Sequence, residues 1–343
     1  MQLSDEMRDT LADALRGHAT VDLRRTGFPV ETNSWTLDRH TLQFLVSLVR
    51  VLKPKHILEF GGGLSTGVLA WACAQIAFPT ELVSIDHDPH FLRSTLRELR
   101  RQEAKCDFSL HHAPLVLRPC LDQLLPIYDL EPGSVPSAFH ADLILIDGPP
   151  LALGGRAGML FQAMEFAKSG TLILLDDSAR REERQALALW RETFGEAIAI
   201  VDLESFPKGL SAIQVQEPVP LKRLAEYTSQ LAARELRPLV AQVEKCVLID
   251  NGLCCAEQLV PNRPVCRFGE KEGIFAGPPA DSSAAVVELQ QLDLSPAALL
   301  IFAWPAFWWF DCYADFLKVI RTHFTSVLET PRVRVFRREK GST

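Results

Sequence analysis

The sequence lacks an excess of basic residues, a membrane-length apolar run and a secretory signal. Its 343 residues contain 36 Lys and Arg against 43 Asp and Glu, for a formal net charge of −7. Without a basic stripe, no nucleic-acid partner bound through phosphates is expected. The longest apolar run, residues 297–310, is too short to span a bilayer and contains Pro305. Because the N-terminus has neither an apolar core nor a cleavage site, we expect a cytoplasmic protein.

Cysteine and hydrophobic content bound the class of protein further. Eight cysteines in a chain of this length, without a secretory signal, do not indicate a disulfide framework. The hydrophobic fraction of 47% is enough for a large core, and the length favours two domains. We predict a first domain over residues 1–218, a helical linker over 219–244 and an accessory α/β domain over 245–343.

Apolar runs alternate with helical patterns along the first domain, which predicts a mainly parallel sheet covered on both faces. Because only a short loop separates the last two strands, they should pair antiparallel. The predicted strands span 56–60, 82–86, 107–111, 142–147, 171–176, 197–202 and 210–216. The predicted helices between them span 65–77, 89–101, 117–125, 155–168 and 181–194. The second domain is predicted to be a smaller α/β unit.

A strand, a glycine cluster and a helix start meet at residues 56–67. Glu59 ends the apolar run, and Gly61, Gly62 and Gly63 follow it. Glycine lets the backbone turn sharply and a ligand approach closely, and the next helix presents its unpaired N–H groups. Thr66 stands where a dinucleotide fingerprint has its third glycine. The segment predicts a nucleotide-binding corner without naming the nucleotide.

An acidic residue, Asp86, ends the second predicted strand. Acids at this place accept hydrogen bonds from ribose hydroxyls of a nucleoside that lies across the strand ends. The spacing suits NAD and S-adenosylmethionine equally. An NAD-dependent oxidoreductase is therefore one interpretation of this nucleotide-binding corner.

Four motifs in order narrow the choice. They are Glu59-Phe60-Gly61-Gly62-Gly63-Leu64-Ser65-Thr66, Ser84-Ile85-Asp86-His87-Asp88, Leu145-Ile146-Asp147-Gly148-Pro149-Pro150 and Leu174-Leu175-Asp176-Asp177-Ser178-Ala179-Arg180. Over residues 30–216 the chain resembles class I S-adenosylmethionine-dependent methyltransferases. It is most similar to the bacterial methyltransferase-domain group with Glu-Phe-Gly-x-Gly-x-Ser-Thr and Asp-Gly-Pro-Pro motifs. The resemblance implies a Rossmann-like seven-stranded, mostly parallel sheet with an antiparallel last strand.

The same resemblance implies where the cofactor lies. The glycines pass under its methionine part with Glu59 nearby, and Asp86 holds the ribose. The cofactor-binding residues expected on this basis are Glu59, Gly61, Gly62, Gly63, Ser65, Thr66, Asp86, His87 and Asp147.

Asp147, Asp176 and Asp177 follow or end two neighbouring strands. Parallel strands bring their carboxyl ends together, and crowded carboxylates suit Mg²⁺, which prefers oxygen ligands. Catechol-type and some sugar O-methyltransferases carry an acid triad at these strand ends, so Mg²⁺ bound by these three residues is a hypothesis. The alternative is that Asp147 and Asp177 only cap the segments that follow them.

Arg156 and Arg180 fall on the same predicted edge of the sheet. Each is expected either to contact an anionic substrate group or to screen the aspartates, with a plain surface position as the alternative. His87 and His140 are weaker candidates for a general base. The predicted catalytic residues are Asp147, Asp177 and Arg180.

Taken together, these patterns predict an enzyme that transfers a methyl group from S-adenosylmethionine to a small-molecule substrate. The expected acceptor is an oxygen of a sugar, a glycoconjugate or another polyhydroxylated molecule. A NAD-dependent oxidoreductase and a non-catalytic cofactor-binding protein remain alternatives. The aromatic stretch Trp304-Pro305-Ala306-Phe307-Trp308-Trp309-Phe310 is expected to be buried in the core or between the two modules, with a substrate groove or a dimer face as alternatives.

Overall fold

The structure is a computed structural model that describes most of the chain. It covers residues 2–28, 36–76, 78–103, 106–121, 123–252, 259–261, 264–271, 274–292 and 298–338. The chain divides into two compact units, Met1–Leu221 and Lys222–Thr343. Among the residues covered, no helix is both long and apolar enough to cross a bilayer.

A seven-stranded sheet forms the centre of the first unit. The strands of this unit are β1 His56–Phe60, β2 Glu81–Asp86, β3 Asp107–His112, β4 Leu115–Cys120, β5 Gln123–Tyr128, β6 Ala141–Ile146, β7 Ala167–Asp176, β8 Ile198–Leu203 and β9 Leu210–Val215. The sheet has the order β3-β2-β1-β6-β7-β9-β8. Only β9 runs against its neighbours β7 and β8. The predicted fold class, with its antiparallel last strand, is confirmed.

Helices cover the sheet, and polar side chains fix where several of them begin. The helices of the first unit are α1 Asp5–Gly17, α2 Arg39–Leu52, α3 Leu64–Gln75, α4 Pro89–Arg101, α5 Met159–Ala163 and α6 Arg181–Phe194. The side chains of Ser4, Asp38 and Asp88 accept hydrogen bonds from backbone N–H groups in the first turns of α1, α2 and α4. Strands β1 and β6 are almost wholly buried, as expected for parallel strands covered on both faces.

The helix predicted over residues 117–125 is wrong, because this segment forms the antiparallel hairpin β4–β5. Pro119 and Pro126 lie within the two strands, and each disfavours a helical conformation of the residue before it. Leu121 makes the turn with a left-handed φ of 59°. Leu117 and Leu124 lie opposite Pro126 and Pro119 in the register and are exposed.

The helix predicted over residues 155–168 is much shorter than expected. Only Met159–Ala163 is helical, and β7 already begins at Ala167. Gly155 takes a positive φ of 71°, which a right-handed helix does not contain. The loop that precedes α5 therefore runs over the end of the sheet, and Arg156 lies in this loop.

The second unit contains a smaller sheet of order β11-β10-β14-β16-β15. Its elements are α7 Leu221–Val240, β10 Lys245–Ile249, β11 Val265–Arg267, β12 Glu270–Lys271, β13 Ile274–Phe275, α8 Ser282–Gln291, β14 Ala298–Ala303, α9 Trp309–Cys312, α10 Ala314–His323, β15 Phe324–Glu329 and β16 Val333–Arg338. The predicted accessory α/β domain is thus of the expected class. Leu236 and Val240 of α7 pack in the same core as Leu248 of β10. The predicted boundaries at residues 218 and 244 stay predictions.

The aromatic stretch of the second unit is divided between core and surface. Trp309 is buried and packs edge-on against Phe268 and Phe316. Its ring N–H donates to Oδ1 of Asn251 across 3.1 Å. Trp308 keeps 39% of its surface exposed. Part of this stretch therefore serves the unit's own packing.

Candidate active site

The glycine turn after β1 is pressed against the chain that follows β6. The N–H groups of Asp147 and Gly148 both donate to the carbonyl of Phe60, at 2.9 and 2.8 Å. Gly61 has a φ of 92°, and a Cβ there would lie 2.5 Å from the backbone N of Gly148. Only glycine meets both conditions. The ends of β1 and β6 are thereby joined through backbone alone.

Asp86 at the end of β2 is tied to the same turn. Its Oδ2 accepts the N–H of Gly62 at 3.1 Å, and its Oδ1 accepts the N–H of Asp88 at 2.7 Å. Nδ1 of His87 lies 3.2 Å from Oδ1. Burial raises the pKa of Asp86, while these hydrogen bonds and His87 oppose the rise. The carboxylate therefore holds the glycine turn at the carboxyl ends of β1 and β2.

Glu59 is a fully buried acid inside β1. Its Oε2 accepts hydrogen bonds from Oγ1 of Thr66 at 2.5 Å and from Oγ of Ser84 at 2.7 Å. Its Oε1 has no hydrogen-bond partner among the described residues. Burial raises the pKa of Glu59 to about 7, although the neighbouring hydroxyls, Ser65 included, lower it. One oxygen of this carboxyl is thus a buried acceptor without a hydrogen bond among the described residues.

Helix α3 begins directly at the turn. Gly63 stands at its N-cap, and the Gly63 N–H donates to Oγ1 of Thr66 at 2.7 Å. Ser65 and Thr66 in the first helical turn are buried. The N-terminal end of α3, with its N–H groups and positive dipole end, borders the turn that Asp86 holds.

Three carboxylates converge at the ends of β6 and β7. One oxygen from each of Asp147, Asp176 and Asp177 lies within 4.8 Å of the others. Burial raises the pKa of Asp147 to about 7, and it raises the pKa of Asp176 well above its usual range. Asp176 has no hydrogen-bond partner on either oxygen in the part of the chain that the structure covers. We call these three side chains the carboxylate cluster.

The guanidinium of Arg156 lies against the carboxylate cluster. Its Nη2 is 3.1 Å from Oδ1 of Asp147 and 3.1 Å from Oδ2 of Asp177. Its Nη1 donates to the carbonyl of Asp176 at 2.6 Å, and Nη2 also donates to the carbonyl of Asp147. The residue keeps only 6% of its surface exposed. Of the roles considered for Arg156, screening of the aspartates agrees with this geometry. The alternative of a plain surface position does not, because the residue is buried.

Two further charges flank the cluster. Arg180, which is 40% exposed, reaches Oδ2 of Asp177 at 2.8 Å. Oε1 of Glu183 in α6 lies 4.0 Å from Nη1 of Arg156 and is buried. Burial raises the pKa of Glu183, while the guanidinium of Arg156 lowers it. The carboxylate cluster, Glu183, Arg156 and Arg180 therefore form a network of four acids and two arginines.

The two histidines are not brought together. His87 borders Asp86 at the carboxyl ends of the strands. His140 precedes β6 at the opposite end of that strand, where its carbonyl lies 3.0 Å from Nδ1 of His56. His140 therefore lies away from the carboxylate cluster.

Three residues near these groups were missed by sequence reasoning. Tyr128 stacks on Phe60 with ring centroids 5.7 Å apart, and its buried hydroxyl has no partner among the described residues. Lys208 lowers the pKa of Asp147 and donates to the carbonyl of Thr36 at 2.9 Å. Glu183 is the third. Tyr128 follows the wrongly predicted helix 117–125, and Glu183 looked like an ordinary first-turn acid, so no local signal marked either residue.

A cavity of about 350 Å³ opens beside the Arg156 loop. Its lining combines apolar and polar side chains, among them Gln123, Leu151, Arg156, Gln185 and Leu189. A space of this size is within the range of small-molecule sites.

Of the known proteins compared with this chain, only solved structures are similar to it. No protein-family model matches this chain, and no curated protein matches it. An O-methyltransferase from Bacillus cereus, solved with SAH, is 16% identical over 60% of this chain and 90% of its own, at a TM-score of 0.41.

Two other solved structures are similar in the same way. The SAH-bound methyltransferase PaMTH1 of Podospora anserina is 18% identical over 63% of this chain and 98% of its own, at a TM-score of 0.40. The O-methyltransferase TomG of Streptomyces achromogenes, solved with SAM, is 17% identical over 63% and 92%, at 0.39. This chain is thus similar to these three methyltransferases at identities of 16 to 18% and TM-scores of 0.39 to 0.41.

Proposed function

We propose that the chain is an S-adenosylmethionine-dependent O-methyltransferase that acts on a polyhydroxylated small molecule such as a sugar or glycoconjugate. One observation carries the proposal. The antiparallel strand β9 lies between β7 and β8 in the sheet whose β1 and β2 ends form the glycine turn and the Asp86 corner. The dinucleotide-binding fold of NAD enzymes has the order 3-2-1-4-5-6 without such a strand. The sheet order therefore favours the methyltransferase over the oxidoreductase.

The residues at the corner fit the cofactor chemically. Asp86 offers carboxylate oxygens to ribose hydroxyls, and Oε1 of Glu59 is a buried acceptor without a hydrogen-bond partner among the described residues. Gly61, Gly62 and Gly63 allow close approach of the backbone. The proposed cofactor-binding set is completed by Ser65, Thr66, His87 and Asp147.

When bound, S-adenosylmethionine would supply a methyl group on a positively charged sulfur. An acceptor oxygen would attack the methyl carbon in line with the carbon–sulfur bond. In our proposal the chain orients that oxygen and takes its proton. With its pKa raised to about 7, Asp147 is suited to hold this proton at neutral pH. Asp177 and Arg180, paired at 2.8 Å, are proposed to orient the acceptor at the same strand ends.

Divalent-metal assistance fits this arrangement poorly. The oxygens of Asp147, Asp176 and Asp177 are ligands of the kind that Mg²⁺ prefers. The guanidinium of Arg156, however, already bonds to Asp147 and Asp177, so that a cation at the cluster would compete for the same carboxylates. We therefore assign no step of the reaction to a metal.

Calorimetry tests the choice of cofactor. The purified protein is titrated with S-adenosylhomocysteine and, separately, with NAD. We expect the protein to bind S-adenosylhomocysteine and not NAD. Binding of NAD alone would overturn the proposal in favour of the oxidoreductase.

A transfer assay with labelled S-adenosylmethionine and a panel of sugars and polyols separates an enzyme from a non-catalytic binding protein. D147N is expected to lose turnover. The matched control is D142N at the other end of β6, where Asp142 bonds to the N–H groups of Lys55 and His56. Equal turnover of D147N and D142N would contradict the role of Asp147. Cytoplasmic residence and self-association stay predictions.

A further inference from the structure

We propose that Arg156 is the resident cation of the carboxylate cluster, so that the site works with a built-in guanidinium where related chemistry would use a divalent metal. The inference concerns the site of the proposed function and rests on it for the reaction that the cluster serves. It predicts that the unaltered chain has little affinity for divalent cations and that removal of the Arg156 charge creates such affinity.

The first support is the geometry of the contact. A single nitrogen, Nη2, bridges Asp147 and Asp177 at 3.1 Å to each. These two residues belong to the trio whose oxygens lie within 4.8 Å of one another. A divalent cation held by the same carboxylates, at the short distances that Mg²⁺ requires, would have to compete with this nitrogen. The guanidinium and the metal are therefore alternatives at the cluster.

Neutral oxygens also anchor the guanidinium. Nη1 donates to the carbonyl of Asp176, and Nη2 donates to the carbonyl of Asp147. Arginine carries five donors in a planar fork, so one side chain can serve carbonyls and carboxylates together. Arg156 thus joins the end of β6 to the end of β7 through hydrogen bonds to the backbone of both strands.

The backbone of Arg156 is held as firmly as its side chain. Gly154 and Gly155, at φ of 104° and 71°, set the direction of the loop. The ring N–H of Trp190 donates to the carbonyl of Ala157 at 2.8 Å. The N–H of Met159 donates to the carbonyl of Arg156 at 2.9 Å. The loop is therefore fixed on both sides of Arg156, with the guanidinium directed into the cluster.

The charges support the same assignment. Arg156 has Asp147, Asp176 and Asp177 on one side, and the buried Glu183 lies 4.0 Å from its Nη1. The four carboxyls face two guanidinium groups, those of Arg156 and Arg180. Removal of Arg156 would leave Arg180 as the single guanidinium beside the four carboxyls in the part of the chain that the structure describes. A buried carboxylate whose partner is removed is strongly disfavoured, which gives the cluster a reason to recruit another cation once the guanidinium is gone.

The test is a titration with Mn²⁺, followed by the electron paramagnetic resonance of the free ion. The proteins compared are the unaltered chain, R156M and the control R184M. Arg184 pairs with Asp202 outside the cluster, so R184M removes the same charge elsewhere. We expect the unaltered chain and R184M to bind Mn²⁺ no tighter than about 1 mM, and R156M to bind at least about tenfold tighter.

Binding of Mn²⁺ to the unaltered chain with a Kd below about 1 mM would overturn the inference, as would a folded R156M without a roughly tenfold gain. If circular dichroism shows that R156M does not fold, the titration of the unaltered chain decides by the same limit. S-adenosylhomocysteine is titrated into the same samples. Failure of the unaltered chain to bind it would count against the proposed function, whereas the Mn²⁺ result bears on Arg156 alone.

Discussion

The backbone N–H of Gly62 donates to Oδ2 of Asp86 across 3.1 Å, and this bond joins the ends of the first two strands of the sheet. Asp86 also accepts the N–H of Asp88, which begins the turn into α4. One carboxylate therefore shapes the glycine turn and faces the place proposed for a ribose. Its two roles lead to the first prediction.

Replacement of Asp86 by Asn should lower the affinity for S-adenosylhomocysteine by about tenfold or more, because the amide loses acceptor capacity toward the turn and the ligand. Calorimetry measures the change. The matched control is D88N, since Asp88 caps α4 and asparagine caps equally well. Equal losses in D86N and D88N would contradict the assignment of Asp86.

Glu59 should make the stability of the first unit fall as pH rises. Its pKa is about 7 in the folded chain against 4.5 for an unburied glutamate, so the folded state keeps a proton that the unfolded state has lost. The contribution is complete below pH 4.5 and disappears as pH rises through 7. Asp147 acts in the same direction.

The variant E59Q tests this effect, because it removes the titration of Glu59. The charge of Glu59 also raises the pKa of Asp147, so its removal changes the contribution of Asp147 in the same direction. Between pH 5 and pH 8, the fall in the free energy of unfolding should be smaller in E59Q by roughly 2 to 3 kcal/mol. Urea denaturation at the two pH values gives the comparison. An identical fall in both proteins would show that Glu59 does not titrate in this range.

Gly61 and Gly170 form a matched pair for the close approach at the turn. Both have a φ near 90°, but a Cβ at Gly61 meets the backbone of Gly148, whereas nothing lies within 4 Å at Gly170. G170A should cost only the backbone strain of about 1 kcal/mol. G61A should cost about 3 kcal/mol or more, since backbone must move. Thermal denaturation of the two variants measures the difference, and similar costs would argue against the contact.

Tyr128 and Tyr313 provide a comparison of a buried hydroxyl with a partly buried one. The hydroxyl of Tyr128 has no partner within the described residues, whereas that of Tyr313 donates to the carbonyl of Pro279 at 2.6 Å. Y128F should therefore keep the stability of the protein or raise it by up to about 1 kcal/mol. Y313F should lose about 1 kcal/mol. A loss in Y128F as large as in Y313F would reveal a bond to Tyr128 in solution.

Strand and helix periodicity predicted most of the sheet because it is a local property. The buried runs that became β1, β2, β6 and β9 lie within one or two residues of their predicted bounds. The hairpin β4–β5 was missed, and its Leu117 and Leu124 are exposed, so that burial does not mark its strands. Only pairing between its two strands, which local periodicity does not encode, accounts for that segment.

By itself, the sequence determined that Glu59, Asp86, Asp147, Asp176 and Asp177 stand in or directly after parallel strands, and therefore at one edge of the sheet. Chain order and the direction of parallel strands are sufficient for that result. Only the tertiary structure decided that Arg156, rather than solvent, lies against the carboxylates. Its position depends on the positive φ angles of Gly154 and Gly155 and on the hydrogen bond from Trp190 to the loop. Trp190 and the loop are distant in the sequence, so only the folded chain brings them together.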